Sequence, residues 1–380
     1  MHYRKMGDLP EKVSALGFGA MRFPLIDDDY GKIAEEKTIK MLDYALEKGV
    51  NYIDTAWSYH EGESENFLGR YLQERGDRDE LYLATKLPTW LIEEKKDLDY
   101  YLEQQLKKLQ TDYFDFYLLH TLNRERWETM VELNIMDWLL EKKAEGKINY
   151  LGFSFHDEFD LFKEIIDHSS SWDFCQIQYN YMDQEYQAGK KGLKYAAQQG
   201  LGVIIMEPLR GGLLAQEPPE EVKALWRRSN RDVSPAARAL EWLWDQPEVS
   251  LVLSGMSKLD EVKENIATAA GLSGPNELNS EEKKLVDQAA EKYNELAPID
   301  CTGCNYCTPC PEEVFIPRVF DYYNQAHIYN NYEEIKESYD KLIEKEKSAS
   351  SCISCLQCED KCPQDLPIAE LMNKIEEYFK

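Results

Sequence analysis

A (β/α)8 TIM barrel followed by a small helical domain is the fold class that this 380-residue chain predicts, and three observations carry it. Eight short apolar runs recur between residues 14 and 255, each about as long as a strand buried on both faces. Amphipathic stretches with helical spacing separate the runs. Eight of the nine cysteines lie beyond residue 300, in two compact groups. An open doubly wound sheet is the alternative for the first part, but it ordinarily has fewer strands.

The opening YRKMGDLPEKVSAL has a turn rich in Gly, Asp and Pro and predicts a hairpin that plugs the barrel floor. The eight strands are then SALGFGAM (14–21), NYIDTA (51–56), LYLATKL (81–87), FDFYLLH (114–120), INYLGFSF (148–155), FCQIQYN (174–180), GVIIMEPL (202–209) and SLVLSG (250–255). Between them, EEKTIKMLDYALEKG places Ile39, Leu42, Ala45 and Leu46 on one helical face and stops at Gly49. DLDYYLEQQLKKLQ, MVELNIMDWLLEKKAEGK, GKKGLKYAAQQG, SPAARALEWLWDQ and KLDEVKENIATAAG each read as a further helix. Turn residues cluster at GLSGPNELN (271–279), and NSEEKKLVDQAAEKYNEL follows as a helix with Ser280 as its candidate cap. The expected domains are a barrel over residues 1–275, a helical connector over 276–297 and a cysteine-rich domain over 298–380.

Acidic residues outnumber basic ones by 71 to 44, a formal net charge of -27. Phosphate binding needs clustered Lys and Arg, so this balance argues against a general DNA or RNA surface. No segment approaches the ~20 apolar residues of a membrane span. MHYRKMGDLP lacks the apolar core of a signal peptide. The chain is therefore expected to be cytoplasmic, with neither nucleic acid nor membrane as partner. In a reducing compartment its cysteines are better read as ligands than as disulfides.

In a parallel barrel, chemistry gathers where the strands end. The second run ends at Asp54, with Tyr59 five residues on; the third ends at Lys86 and the fourth at His120. These residue types suit carbonyl reduction. A hydride added to carbon needs a proton for the oxygen, and a tyrosine donates it when a nearby lysine cation lowers its pKa. Asp54 would hold Lys86 as an ion pair, and His120 would orient the carbonyl. There is no GxSxG elbow, no metal-ligand trio on the barrel, and no GxGxxG after the first strand.

At LGFGAM, NYIDTAWSY, LATK, LLH, GFS, QIQYN, MEPLRGGLL and SGMSKLDEVKEN the chain resembles the aldo-keto reductase family, over residues 1 to about 270. The resemblance implies a catalytic tetrad of Asp54, Tyr59, Lys86 and His120, and an NAD(P)H cofactor extended across the barrel top. It implies contacts from Gly19 and Met21, and Ser154 and Gln176 at the nicotinamide carboxamide. It also implies Met206, Pro208 and Leu209 along the rim, Gly211, Gly212 and Leu213 beside the pyrophosphate, Gly255 and Ser257, and Glu264 and Asn265 near the adenine. Three positions depart from the family pattern. Phe155 stands where Asn usually follows the serine, Met206 where an aromatic stacks on nicotinamide, and Glu261 where many members have an Arg for the 2'-phosphate. Lys258 lies nearby and reads more simply as an exposed lysine at a helix start. These departures weaken the case for NADPH and leave room for another flat redox cofactor, such as a flavin.

The last part carries Cys352, Cys355, Cys358, Cys362 and Pro363, the bacterial iron-sulfur spacing C-x2-C-x2-C-x3-C-P. Cys301, Cys304, Cys307, Cys310 and Pro311 repeat it with a last gap of two residues. Zinc would normally take two cysteines from each of two knuckles; two runs of four suit two 4Fe-4S clusters. The helical segment between them makes the region resemble a helical ferredoxin-like domain with two clusters. As in two-cluster ferredoxins, the fourth cysteine of each run is expected to serve the other cluster. Cys301, Cys304, Cys307 and Cys362 then hold one cluster, and Cys352, Cys355, Cys358 and Cys310 the other. The tyrosines between the runs read mainly as core, and Cys175 as a small buried residue.

The expected protein is thus an oxidoreductase acting on a small carbonyl or alcohol. Its clusters would relay electrons between a rim nicotinamide or flavin and an external carrier such as ferredoxin, although an acidic surface disfavours an acidic carrier. In a simpler version the clusters only stiffen their domain. The alternative class is a redox-sensing or regulatory barrel without physiological turnover. The loops AWSYHEGE, TWLIEEKK and TLNRERW are expected to shape the pocket, with Trp57, Trp90 and Trp127 as candidate walls.

Overall fold

The computed structural model describes residues 1–229 and 231–380. Chain contacts divide it into two units, Met1–Pro208 with Ala236–Leu278, and Leu209–Pro235 with Asn279–Lys380.

The first unit begins with the antiparallel strands β1 (Tyr3–Lys5) and β2 (Lys12–Ser14). The barrel follows as β3 (Leu16–Gly19), interrupted by the small hairpin β4 (Leu25–Ile26) and β5 (Asp29–Ile33), then β6 (Tyr52–Asp54), β7 (Tyr82–Leu87), β8 (Phe114–Leu122), β9 (Ile148–Phe155), β10 (Phe174–Gln178), β11 (Gly202–Met206) and β12 (Leu251–Gly255). The strands β3 and β6 to β12 close into one parallel barrel in sequence order, so every predicted run became a strand. Seven of these strands are buried along nearly their whole length, which is why they read as continuous apolar runs rather than alternating ones.

Met6 and Val13 of the opening hairpin pack into one cluster with Phe116, Phe174, Ile204 and Leu251, closing the barrel floor. The helix Glu35–Glu47 buries Thr38, Met41, Leu42 and Ala45. Leu42 and Ala45 are buried as expected, whereas Ile39 and Leu46 are only half-buried. MVELNIMDWLLEKKAEGK is not one helix. It breaks between Arg124–Glu132 and Ile135–Ala144 at Asn134, whose φ of 55 is a left-handed conformation that asparagine tolerates.

The second unit is helical, and its described residues form no strand. Its long entry helix, Ser280–Leu296, is capped by Asn279, whose side chain accepts from the Glu281 and Glu282 N–H groups, rather than by Ser280 as expected. Helices Ile316–Ile328, Tyr332–Glu344 and Ile368–Tyr378 pack around Phe320, Tyr323, Tyr339, Met372 and Phe379. The tyrosines of this region are mostly core, as Tyr339 stacks on Phe379 at 4.2 Å between centroids. The residues 209–235, which continue from β11, group with this unit.

Candidate functional site

Strand register explains how three ionisable side chains come together. Asp54 pairs with Ala84, and Lys86 pairs with Leu118. Side chains two residues apart on a strand share a face. Ala84 and Leu118 point into the barrel core, so Asp54, Lys86 and His120 point inward at successively higher levels. Tyr59 arrives on the turn Tyr59–Gly62, where His60 and Glu61 both have positive φ. The buried His60 ring pins this turn, with its nitrogens 3.0 Å from the Tyr30 carbonyl and 3.1 Å from that of Ala20.

The four side chains form one contact set. The fully buried Lys86 Nζ donates to Asp54 Oδ1 at 2.6 Å, to the Thr55 carbonyl at 2.8 Å and to the Tyr59 hydroxyl at 3.3 Å. The Tyr59 ring meets His120 edge-on at 6.1 Å. Burial pushes the Asp54 carboxyl up and the Lys86 ammonium down, and their mutual attraction opposes both shifts. Burial holds the His120 imidazole well below its ordinary range, and the cations of Lys86 and Arg126 hold it lower still. It is therefore neutral at neutral pH.

Glu65 was not foreseen. It is buried behind Lys86, where Thr85 Oγ1 and Gln105 Nε2 each donate to it at 2.7 Å, and Gln105 also donates to the Lys86 carbonyl at 3.0 Å. Burial raises its carboxyl pKa, opposed by these donors and by Lys108. A glutamate in a charged helix gives no sequence signal for such a role. Of the three tryptophans, Trp90 lies against His120 at 5.1 Å. Trp57 instead packs on Tyr101, and Trp127 is buried against His168.

The expected nicotinamide residues also share the inward face. Ser154 pairs with Gln176, and Gln176 with Ile204, two residues before Met206. Gln176 Nε2 lies 3.4 Å from the Met206 sulfur, while its buried Oε1 has no hydrogen-bond partner among the described residues. Ser154 Oγ accepts the Thr121 N–H at 2.7 Å. Phe155 faces outward against Phe162, so it leaves no amide where the family has Asn. Gly19 pairs with Gly255, and Met21 is half-buried beside them. Pro208 is buried at the end of this unit's first segment.

Further along, Ser257, Lys258 and Glu264 are exposed, while Asn265 is buried and donates to Ser254 Oγ at 3.1 Å. The Glu261 carboxylate accepts the Ser257 N–H at 2.8 Å and the Lys258 N–H at 3.2 Å. It thereby fills the anion position at the start of helix Leu259–Ala270.

In the second unit, Leu209, Gly212 and Leu213 are half-buried and Gly211 is exposed. Cys301, Cys304, Cys307 and Cys362 line one pocket, together with Ile316, Pro317, Phe320, Leu366 and Ile368. Burial pushes the Cys307 thiol up, and the nearby Cys304, Cys301, Cys362 and Cys358 push it further. Four thiolates at this place therefore need a compensating cation, and a 4Fe-4S cluster fits that donor set. The Gly303 N–H reaches Cys301 Sγ at 3.4 Å, a bond of the kind that tunes such clusters. Around Cys358, whose thiol burial lifts to about 11, Cys352 and Cys310 act as the neighbouring sulfurs. Cys355 is the exposed member of that group. Cys362 thus sits with the first run, and Cys310 lies within electrostatic reach of Cys358. Cys175 is buried alone on β10.

The model of the Aldo/keto reductase family matches residues 15–290, and that of a 4Fe-4S dicluster domain matches residues 300–366. An uncharacterized oxidoreductase YqkF of Bacillus subtilis is 27% identical over 303 residues, which cover 71% of this chain and 91% of that protein. An L-galactose dehydrogenase of Arabidopsis thaliana is 27% identical over 294 residues, covering 71% and 88% of the two chains. Among solved structures, an aldo-keto reductase AKR11C1 from Bacillus halodurans in its holo form superposes with a TM-score of 0.63 at 28% identity, covering 76% of this chain and 96% of that one. Among the described residues, no helix is long and apolar enough to cross a membrane.

Proposed function

We propose, from the premise that this chain belongs to the aldo/keto reductase family of oxidoreductases and carries a 4Fe-4S dicluster domain, that it interconverts a carbonyl and its alcohol at the Tyr59 hydroxyl. One observation carries the reading: the buried Lys86 ammonium reaches both the Asp54 carboxylate and the Tyr59 oxygen.

When bound, a nicotinamide dinucleotide supplies the hydride, and two 4Fe-4S clusters supply or accept single electrons. In the reducing direction the carbonyl carbon gains the hydride, the Tyr59 O–H bond breaks, and its proton passes to the carbonyl oxygen. Lys86 stabilises the phenolate left behind, and Asp54 keeps Lys86 in place. Neutral His120 donates a hydrogen bond that orients the carbonyl. Ser154 and Gln176 serve the carboxamide, and Met206 replaces an aromatic face with a polarizable thioether. The Glu261 carboxylate repels a 2'-phosphate and accepts from a ribose hydroxyl, so NADH is favoured over NADPH. The eight cysteines of the two runs would hold the clusters, whose chemistry would be single-electron exchange with an external carrier; two such electrons and one proton amount to one hydride.

The test is anaerobic purification, with iron and sulfide determination, nucleotide extraction, and turnover on a panel of aldehydes and ketones. The expected result is about eight irons per chain and NADH-driven reduction. Absence of turnover in either direction with NADH, NADPH or a reduced low-potential dye would overturn the enzymatic reading.

A further inference from the structure

The turn after β11 and the first cysteine run are held together within the second unit. Arg210, Gly211 and Gly212 have φ of 45, 67 and 102, three successive left-handed residues. A non-glycine residue in that region persists when its surroundings over-determine it. Here the surroundings are the stretch just before and within the cysteine run. The buried Arg210 guanidinium is ion-paired with Asp300, the residue preceding Cys301. Gly211 lies against the backbone of Thr302: a Cβ there would come within 2.2 Å of the Thr302 carbonyl oxygen. Thr302 is itself buried and lines the same pocket as Cys301, Cys304, Cys307 and Cys362. Gly212 is the opposite case, because a Cβ there would meet nothing within 4 Å. One glycine is closed by the cluster loop, and the next is open for a ligand's close approach.

We propose that Asp300 is a positioning residue for the dinucleotide pyrophosphate: through Arg210 it holds the turn 209–213 in its binding shape and couples dinucleotide binding to the first cluster. This rests on the reading that a nicotinamide dinucleotide is the rim cofactor. The physical logic is pre-organisation. Residues 300–304 take their shape from the cluster that Cys301 and Cys304 would ligate, and the turn takes its shape from residues 300–302. Coupling of this kind is reciprocal, so the dinucleotide must also perturb the first cluster. Asp300→Asn removes the charge of the latch and keeps its size; Asp300→Glu keeps the charge. Gly211→Ala pushes the turn off Thr302 by a separate route.

The experiment uses anaerobic holoprotein. NADH affinity is titrated by fluorescence in the wild type and the three variants, with iron content measured in each. Electron paramagnetic resonance spectra of the reduced clusters are recorded with and without NADH, and hydrogen exchange is followed over residues 209–213. Asp300→Asn and Gly211→Ala are expected to weaken NADH binding at least about fivefold and to accelerate exchange in the turn, with iron content retained. Asp300→Glu is expected to restore both. NADH is expected to shift the wild-type cluster signal and not that of Asp300→Asn. Unchanged affinity and exchange in Asp300→Asn would overturn the latch, and so would a wild-type signal indifferent to bound NADH. If the wild type binds no dinucleotide at all, the nicotinamide reading fails separately, and with it the assignment of Asp300 to the pyrophosphate.

Discussion

The Lys86 ammonium nitrogen lies 3.3 Å from the Tyr59 hydroxyl, which it approaches from inside the barrel while salt-bridged to Asp54. That contact supports the proposed role of Tyr59 as the proton-transferring group. Tyr59→Phe is expected to lower kcat for carbonyl reduction by about 10²- to 10⁴-fold, the usual worth of general acid catalysis. Iron content should stay constant. Turnover at the wild-type rate would remove Tyr59 from the mechanism.

The same lysine is a structural liability. Removing one partner of a buried pair leaves an uncompensated charge and costs about 3–5 kcal/mol. Asp54→Asn and Lys86→Met should each lower stability on that scale in urea titrations. The double variant should lose less than the sum, because neither charge is then left alone. Additive losses would show that the two groups do not depend on each other.

The proposed ligand groups cross between the runs: Cys362 lines the pocket of Cys301, Cys304 and Cys307, and Cys310 lies within electrostatic reach of Cys358. Cys362→Ala should therefore disturb the same cluster signal as Cys304→Ala, and Cys310→Ala the same signal as Cys355→Ala. Mössbauer or electron paramagnetic resonance spectra read the outcome. A pairing in which Cys362→Ala matches Cys355→Ala would mean that each run keeps its own cluster.

Glu261 occupies the anion position at a helix start. Glu261→Arg is expected to shift the ratio of kcat/KM values for NADPH over NADH upward by at least about tenfold, since an arginine fork binds phosphate and a carboxylate repels it. An unchanged ratio would place the 2'-position elsewhere.

Burial, with help from Arg126, depresses His156 to about 3. Above its ordinary value near 6.5 neither folded nor unfolded chain binds this proton, so stability does not depend on it. As pH falls below that value, the unfolded chain gains the proton first, and stability drops by about 1.4 kcal/mol per pH unit toward the folded value. The raised carboxyls of Asp54 and Glu65 act in the opposite sense, because the folded chain takes up their protons first. The isolating measurement is therefore His156→Gln against wild type, in urea titrations from pH 7.5 to 5. The variant's stability should fall less steeply; parallel slopes would refute the assignment.

The barrel was legible because burial on both faces writes each strand as an apolar run, and a polar residue ending such a run stands out. Asp54, Lys86 and His120 were visible that way, and Tyr59 by its step beyond Asp54. The cysteine runs were visible because ligand chemistry demands a local spacing. Helix ends and breaks were less legible: Asn279 rather than Ser280 caps its helix, and Asn134 divides another, since either choice satisfies the local pattern.

Spacing along the chain therefore specified the barrel, the tetrad candidates and the ligand sets, all features whose physics is local or periodic. The Glu65 support behind Lys86 and the Arg210–Asp300 ion pair came from folding alone. Each joins a charged residue to a partner that no periodic pattern predicts. That ion pair spans 90 positions of sequence. Burial and ion pairing act between neighbours in space, and a chain records such neighbours only once its elements have packed.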